Sequence, residues 1–161
     1  MASEFARGGC LCRALRYRLT NTPLVVHACH CRDCQRITGT AFVMNLWIER
    51  DFVELQSGKP ESFKLKGGSG KAHEVFFCGR CGNHVWSRYG ASPGDTLLVR
   101  AGSLDEPRKV KPEVHIFTRS KQPWLELPKE ARVFEGFYKP AEVWSPESLA
   151  RWRKNIERRS S

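Results

Sequence analysis

The chain has 161 residues, of which 40% are hydrophobic and 27% charged, and its formal net charge is +10. These values are typical of one globular domain spanning 1–161. The longest uncharged runs, such as 37–48, are far shorter than the roughly 20 apolar residues that a membrane-spanning helix needs. The first residues lack an apolar signal core, so we expect a cytoplasmic protein whose cysteines stay reduced.

Short runs with alternating or β-branched residues predict a series of strands in chain order. They cover 14–20, 24–31, 41–48, 52–55, 62–66, 73–78, 84–89, 96–101 and 114–118. Turn signals such as Ser57-Gly58 and Ser92-Pro93-Gly94-Asp95 separate them. Because no helix-length periodic segment lies between these runs, the pattern favours a mainly β fold over parallel βαβ units.

One helix is predicted at the C-terminus, in an extension of about 145–161. Ser145 suits the N-cap, Pro146 the first helical position and Glu147 the first turn. The segment that follows is rich in arginine and lysine. We interpret it as a solvated face followed by a frayed tail, with a binding surface as the alternative.

Seven cysteines exclude a complete disulfide framework, because the number is odd. They form three groups: Cys10 and Cys12; Cys29, Cys31 and Cys34; Cys78 and Cys81. Residues two apart in a strand share a face, and the Cys-X-X-Cys step suits a tight turn relaxed by Gly79 and Gly82. Zinc binds four soft ligands in a tetrahedron, so the first and last groups together predict a closed structural site.

The middle group supplies only three thiolates. Three protein ligands with an exchangeable fourth position are typical of a catalytic zinc. Alternatively, His27, which shares the face of Cys29 in a strand, completes a structural site. In a third interpretation, one zinc is bound and the remaining cysteines are ordinary buried residues.

The net charge of the protein changes if both predicted sites bind zinc. Seven thiolates subtract seven charges and two zinc ions return four, which leaves +7. A basic protein favours anionic partners or substrates, although the charge also serves solubility. The basic residues are not interleaved with aromatic residues in a base-stacking pattern, so we do not expect nucleic acid to be the partner.

Taken together, the motifs resemble those of the glutathione-dependent formaldehyde-activating enzyme family, also called the centromere-protein-V/GFA family. They are GGCLC with ALRY, CHCRDCQRITGTAF, FFCGRCGN, AGSLD, and PEVHIF with QPW, covering a core of about 8–125. The resemblance implies the Mss4-like β-tent fold of small antiparallel sheets. It also implies a structural zinc on Cys10, Cys12, Cys78 and Cys81, and a labile catalytic zinc on Cys29, Cys31 and Cys34.

The activity implied by the resemblance is that of a carbon–sulfur lyase producing S-hydroxymethylglutathione. The expected partner is therefore glutathione or a similar small thiol, or its adduct. A non-enzymatic interaction module and a thiol or metal sensor are the alternatives. The electrophilic half of the substrate, the physiological thiol and the oligomeric state do not follow from the sequence.

Residues near the three cysteines are further candidates. Arg32 and Arg36 could balance the negative cluster or bind substrate carboxylates, and we assign Arg36 a catalytic role. Asp33 could carry a proton or form a local turn, and 38–40 is expected to form a loop over the site. His115 and Trp124 match family positions, although both are expected to be packed side chains. Arg13 departs from the family pattern, in which glycine usually follows the second cysteine.

Overall fold

The computed structural model describes residues 4–160 and contains two sheets and three helices. The strands are β1 Ala6–Gly9, β2 Arg16–Leu19, β3 Val25–Cys29, β4 Val43–Glu49, β5 Val53–Ser57, β6 Glu61–Lys66, β7 Ala72–Phe77, β8 His84–Tyr89, β9 Thr96–Arg100, β10 Val114–Ile116 and β11 Arg132–Val133. The helices are α1 Arg32–Thr38, α2 Pro140–Val143 and α3 Pro146–Ser160. The expected mainly β fold class is confirmed.

The larger sheet has eight strands in the order β11-β10-β3-β4-β9-β8-β7-β6, and the smaller sheet pairs β1-β2-β5. Most neighbours are antiparallel, as expected. The exception is β10, which runs parallel to both β3 and β11. This arrangement brings the segment after β10 beside the end of β3, where α1 begins.

Two separate apolar cores lie against the sheets. The first contains Leu15, Tyr17, Leu19, Val26, Leu46, Ile48, Val85, Trp86, Leu97 and Val99, together with Cys10 and Cys78. The second contains Leu24, Val25, Val43, Trp47, Val114, Ile116, Tyr138, Val143 and Trp144, together with Cys29 and Cys34. The buried cysteines Cys10 and Cys78 therefore belong to one core, and Cys29 and Cys34 belong to the other.

Helix α3 begins as predicted and has a solvated face with the exposed Arg153, Lys154 and Arg158, but it is helical to Ser160 rather than frayed. The Ser145 hydroxyl accepts a hydrogen bond from the Ser148 amide at 3.1 Å, which caps the helix. The Arg151 guanidinium forms a two-pronged ion pair with the buried Glu49 carboxylate, at 3.0 and 2.7 Å. Trp152 packs edge-on against Trp144 with ring centroids 5.2 Å apart. The basic helix is therefore bound to the second core, and part of its charge is internally paired.

Within residues 4–160, no helix combines the length and apolar character needed to cross a membrane.

Candidate metal centres

Four cysteines from distant parts of the chain meet beside the first core. Cys10 follows β1, Cys12 lies in the next turn, and Cys78 and Cys81 follow β7. Their four sulfurs lie within 4.8 Å of one another, and we call them the four-cysteine cluster. Cys10 and Cys12 Sγ are 3.5 Å apart, and Cys12 and Cys78 Sγ are 3.8 Å apart. The prediction that Cys10 and Cys12 share a site with Cys78 and Cys81 therefore agrees with the positions of these residues in the structure.

The spacing of these sulfurs fits a tetrahedral zinc ion. Zinc–sulfur bonds of about 2.3 Å place the sulfurs of a tetrahedron about 3.8 Å apart. The observed separations of 3.5 and 3.8 Å agree with that geometry. Soft thiolates are also the donors that zinc prefers over harder cations. The residues present can therefore hold zinc.

Tight backbone turns bring the cluster sulfurs together. Gly82 has a φ of 71° and its amide donates to the Cys78 carbonyl at 2.7 Å, as expected for a glycine in this turn. A Cβ at Gly79 would lie 1.9 Å from a Glu61 carboxylate oxygen, a contact that the exposed Glu61 side chain can relieve by moving. Arg13 has a φ of 62°, a left-handed conformation that glycine adopts without strain.

The remaining cysteines form a second group of sulfurs within 4.8 Å of one another, the three-cysteine cluster Cys29, Cys31 and Cys34. Cys29 ends β3 and is buried, as is Cys34 on α1. Cys31 is not a strand residue as predicted. It is the N-cap of α1, and its sulfur accepts a hydrogen bond from the Cys34 amide at 3.3 Å. A short helix, not strand alternation, therefore brings the third sulfur into place.

The thiols of the three-cysteine cluster shift one another's pKa values. Hydrogen bonds from the Cys29 and Cys34 thiols, together with backbone amides, lower the pKa of Cys31 far below its ordinary value. The same hydrogen bond to Cys31 and burial raise the pKa of Cys29. A divalent metal would remove this asymmetry, because it binds every cluster sulfur as a thiolate.

Among residues 4–160, no histidine or carboxylate joins the three sulfurs. The His27 ring nitrogen instead lies 2.5 Å from the Tyr138 hydroxyl in the second core. The His30 ring nitrogen lies 3.1 Å from that of His115, which is packed as expected. Burial lowers the pKa of all these imidazoles and favours their neutral forms. The fourth position of the cluster therefore has no donor from the described part of the chain.

A cavity of about 540 Å³ is lined by residues of α1, β4, β8 and β9. Its lining includes Thr38, whose hydroxyl donates to the Cys34 carbonyl at 2.7 Å, and Val43, the β4 partner of Cys29. It also includes Asn83 and His84, which follow Cys81 closely in sequence. A cavity of this volume can admit a small organic ligand beside the three-cysteine cluster.

Gln35 fixes the position of α1. Its amide nitrogen donates to the carbonyls of His30 and Ser120, at 2.7 and 2.9 Å. Its carbonyl oxygen accepts from Arg32 at 2.5 Å and from Gln122 at 2.8 Å. The buried amide therefore uses both of its donors and both acceptor positions. Arg32 lies in α1 itself and orients the Gln35 side chain, a role that its residue type did not predict.

The other residues that the sequence indicated as candidates have different environments in the structure. Arg36 is exposed in the last turn of α1, and the predicted loop residue Thr38 belongs to that helix. The Asp33 carboxylate accepts from the Gly68 amide at 2.7 Å and so holds the glycine-rich β6–β7 loop against α1. Trp124 is 70% exposed, so the expectation that it is packed is wrong.

Sequence analysis missed Arg100. It is the last residue of β9 and it is 5% exposed, lining the cavity on the same sheet face as Asn45 and Cys29. The available signal was an arginine at the end of an otherwise apolar strand, where it interrupts the hydrophobic pattern.

No curated protein matches the chain. A solved crystal structure of a Rhodobacter sphaeroides protein matches with 19% identity and a TM-score of 0.48, covering 66% of this chain and 91% of the other. The sequence model of the glutathione-dependent formaldehyde-activating enzyme family matches residues 5–120, which include every cysteine of both clusters. The chain therefore belongs to the glutathione-dependent formaldehyde-activating enzyme family.

Proposed function

We propose that the protein is a zinc-dependent carbon–sulfur lyase that acts on adducts of glutathione or a similar small thiol, in the manner of an S-hydroxymethylglutathione synthase. The observation that carries this proposal is the three-cysteine cluster, which has no fourth donor among residues 4–160 and whose neighbours Thr38 and Val43 line a cavity of about 540 Å³. A closed structural site would need no such cavity. Membership of the family supports a glutathione-related substrate.

In this proposal the two clusters have different roles. Cys10, Cys12, Cys78 and Cys81 hold a structural zinc, and the three-cysteine cluster holds a labile catalytic zinc. A zinc ion with three thiolate ligands is a weak Lewis acid with an affinity for a further soft sulfur, so it stabilises a substrate thiol as the thiolate. The protein residues hold the reactants and exclude water from the buried side of the site.

The reaction joins a thiol to an aldehyde. The sulfur forms a bond to the carbonyl carbon, and the proton that leaves the thiol ends on the carbonyl oxygen. No oxidant or reductant is consumed, and the reverse direction breaks the same carbon–sulfur bond. Arg36 adjoins the cavity-lining residue Ile37. We assign it to a carboxylate of the thiol substrate, because a guanidinium binds carboxylates in a bidentate manner.

Cobalt substitution tests this proposal. Cobalt replaces zinc in thiolate sites and gives each site a visible absorption spectrum. Glutathione should change the spectrum of the three-cysteine cluster and leave that of the four-cysteine cluster unaltered. Cys34→Ser should abolish the change while the tetrathiolate bands remain.

The absence of any spectral response to glutathione in the wild type would reject carbon–sulfur chemistry at this site. A response without turnover of any thiol–aldehyde adduct would instead favour a thiol or metal sensor. If glutathione caused no spectral response and no thiol–aldehyde adduct were turned over, the protein would be an interaction module. We place its activity in the cytoplasm, where thiols stay reduced.

A further inference from the structure

Arg100 is a buried cation without a carboxylate partner. Its guanidinium donates to the Asn45 side-chain oxygen and, at 3.2 Å, to the Ser87 hydroxyl. Its Nε is buried and has no hydrogen-bond acceptor. Within residues 4–160 no aspartate or glutamate forms an ion pair with it. Because burying an unpaired charge is strongly unfavourable, a compensating negative charge is required nearby.

The three-cysteine cluster is in position to supply that charge. Arg100 pairs with Asn45 across the β9–β4 ladder, and Cys29 pairs with Val43 two residues along β4. Alternate residues of a strand share a face, so the guanidinium and the Cys29 sulfur lie on the same side of the sheet. Burial lowers the pKa of Arg100, and negative charge on the three cluster sulfurs opposes that effect.

The charges of the two groups are complementary. Three thiolates with one divalent metal carry a net charge of −1, which a guanidinium neutralises. A thiolate substrate would add a further negative charge, and burial of Cys29 and Cys34 limits the screening of that charge by water. The four-cysteine cluster has a different environment, since Cys81 is exposed and solvent can stabilise its charge.

We propose that Arg100 is the positioning residue of the three-cysteine cluster, a buried counter-cation that stabilises its fully ionised, metal-loaded form. The proposal rests on the function proposed above. Arg100 should therefore stabilise the protein more when metal is bound at this cluster than when it is not.

Cobalt affinity is the direct test. A competing chelator would be titrated against the cobalt-loaded full chain, with the three-cysteine cluster followed by its absorption. Arg100→Gln, which keeps a polar side chain but loses the charge, should weaken cobalt binding there by about 10-fold or more. Arg100→Lys should restore most of the affinity. Arg108→Gln removes an exposed positive charge and is the matched control, with affinity unchanged.

The second measurement separates this role from a purely structural one. In the intact cobalt-loaded protein, Arg100→Gln should lower the midpoint of thermal unfolding. In a Cys34→Ser background, which weakens metal binding at the cluster, the same substitution should lower it less. Equal losses in both backgrounds, or unfolding of Arg100→Gln in both, would overturn the proposal and make Arg100 a structural residue.

The outcomes also distinguish the two proposals. If the wild type binds cobalt at this cluster and Arg100→Gln binds it equally well, only the role of Arg100 is rejected. If the wild type binds no cobalt at this cluster, both proposals are rejected.

Discussion

The two cysteine clusters differ in what holds their surroundings in place. The four-cysteine cluster joins two turns that are separated by 65 residues, and one of its cysteines, Cys81, is exposed. The three-cysteine cluster lies between β3 and α1 beside the second core, which is rich in aromatic side chains and is covered by α3. In addition, Gln35 anchors α1 through three hydrogen bonds to residues outside the helix.

This difference indicates how metal and fold depend on each other. In the proposed function, zinc at the four-cysteine cluster holds two turns from distant parts of the chain, so its binding free energy would contribute directly to folding. At the three-cysteine cluster, packing and the hydrogen bonds of Gln35 already hold α1, so we expect that metal can be exchanged there without loss of structure. An exchangeable metal is what a catalytic or sensing site requires, and a fixed metal is what a structural site requires.

Substitution of one ligand in each cluster gives the largest expected contrast. Cys78→Ser should destabilise the protein by about 3 kcal/mol or more, because metal binding there is coupled to folding. Cys31→Ser should change stability by less than about 1 kcal/mol, since serine is a favourable N-cap and can accept the Cys34 amide hydrogen bond. Soluble yield, circular dichroism and thermal unfolding of both variants check this expectation.

Metal content provides the control for that pair. Purified wild type should contain between one and two zinc ions per chain, and Cys31→Ser should retain about one. Equal loss of stability in the two variants would show that the clusters do not divide into structural and exchangeable sites.

A substitution in α3 tests whether packing, rather than metal, stabilises the second core. Arg151→Met leaves the Glu49 carboxylate buried without its partner and should lower the free energy of unfolding by about 3 kcal/mol. Arg158→Met is the matched control, because Arg158 and Asp51 are both 62% exposed, and its effect should stay below about 1 kcal/mol. Chemical denaturation would measure both.

The loss in Arg151→Met should be the same with and without cobalt at the three-cysteine cluster. A loss that appears only in the metal-free protein would mean that metal substitutes for the α3 contact, and the contrast between the two clusters would be weaker than described.

The smallest expected effect concerns the turn that carries Cys10 and Cys12. Arg13 has a φ of 62°, which is strained for a residue with a Cβ. Arg13→Gly should raise the free energy of unfolding by about 0.5–1 kcal/mol, because relief of strain exceeds the greater entropy that glycine gains in the unfolded chain. Thermal unfolding would detect the increase. A decrease would show that the Arg13 side chain makes a compensating contribution to this turn.

The strand pattern and the grouping of the cysteines were accessible from sequence because both depend on local spacing. The predicted strand 84–89 coincides with β8, and Ser145 caps α3 as expected. The two cysteine groups at positions 10–12 and 78–81 could be assigned to one site because four thiolates suit a tetrahedral zinc ion, and the structure places their sulfurs in one cluster.

The remaining features depend on contacts between distant residues. Helix α1 has only seven residues and almost no apolar periodicity, so its stability comes from Gln35 and its packing partners rather than from its own sequence. The parallel pairing of β10 with β3 involves three residues and carries no local signal. Arg100 became visible as a candidate only when its strand was placed beside β4 and the three-cysteine cluster.

The hydrogen bonds of Gln35 connect α1 to a part of the chain that is synthesised late. Two of its partners, Ser120 and Gln122, are 85 and 87 residues further along the chain. During synthesis from the N-terminus, all seven cysteines therefore emerge before α1 can form these two hydrogen bonds.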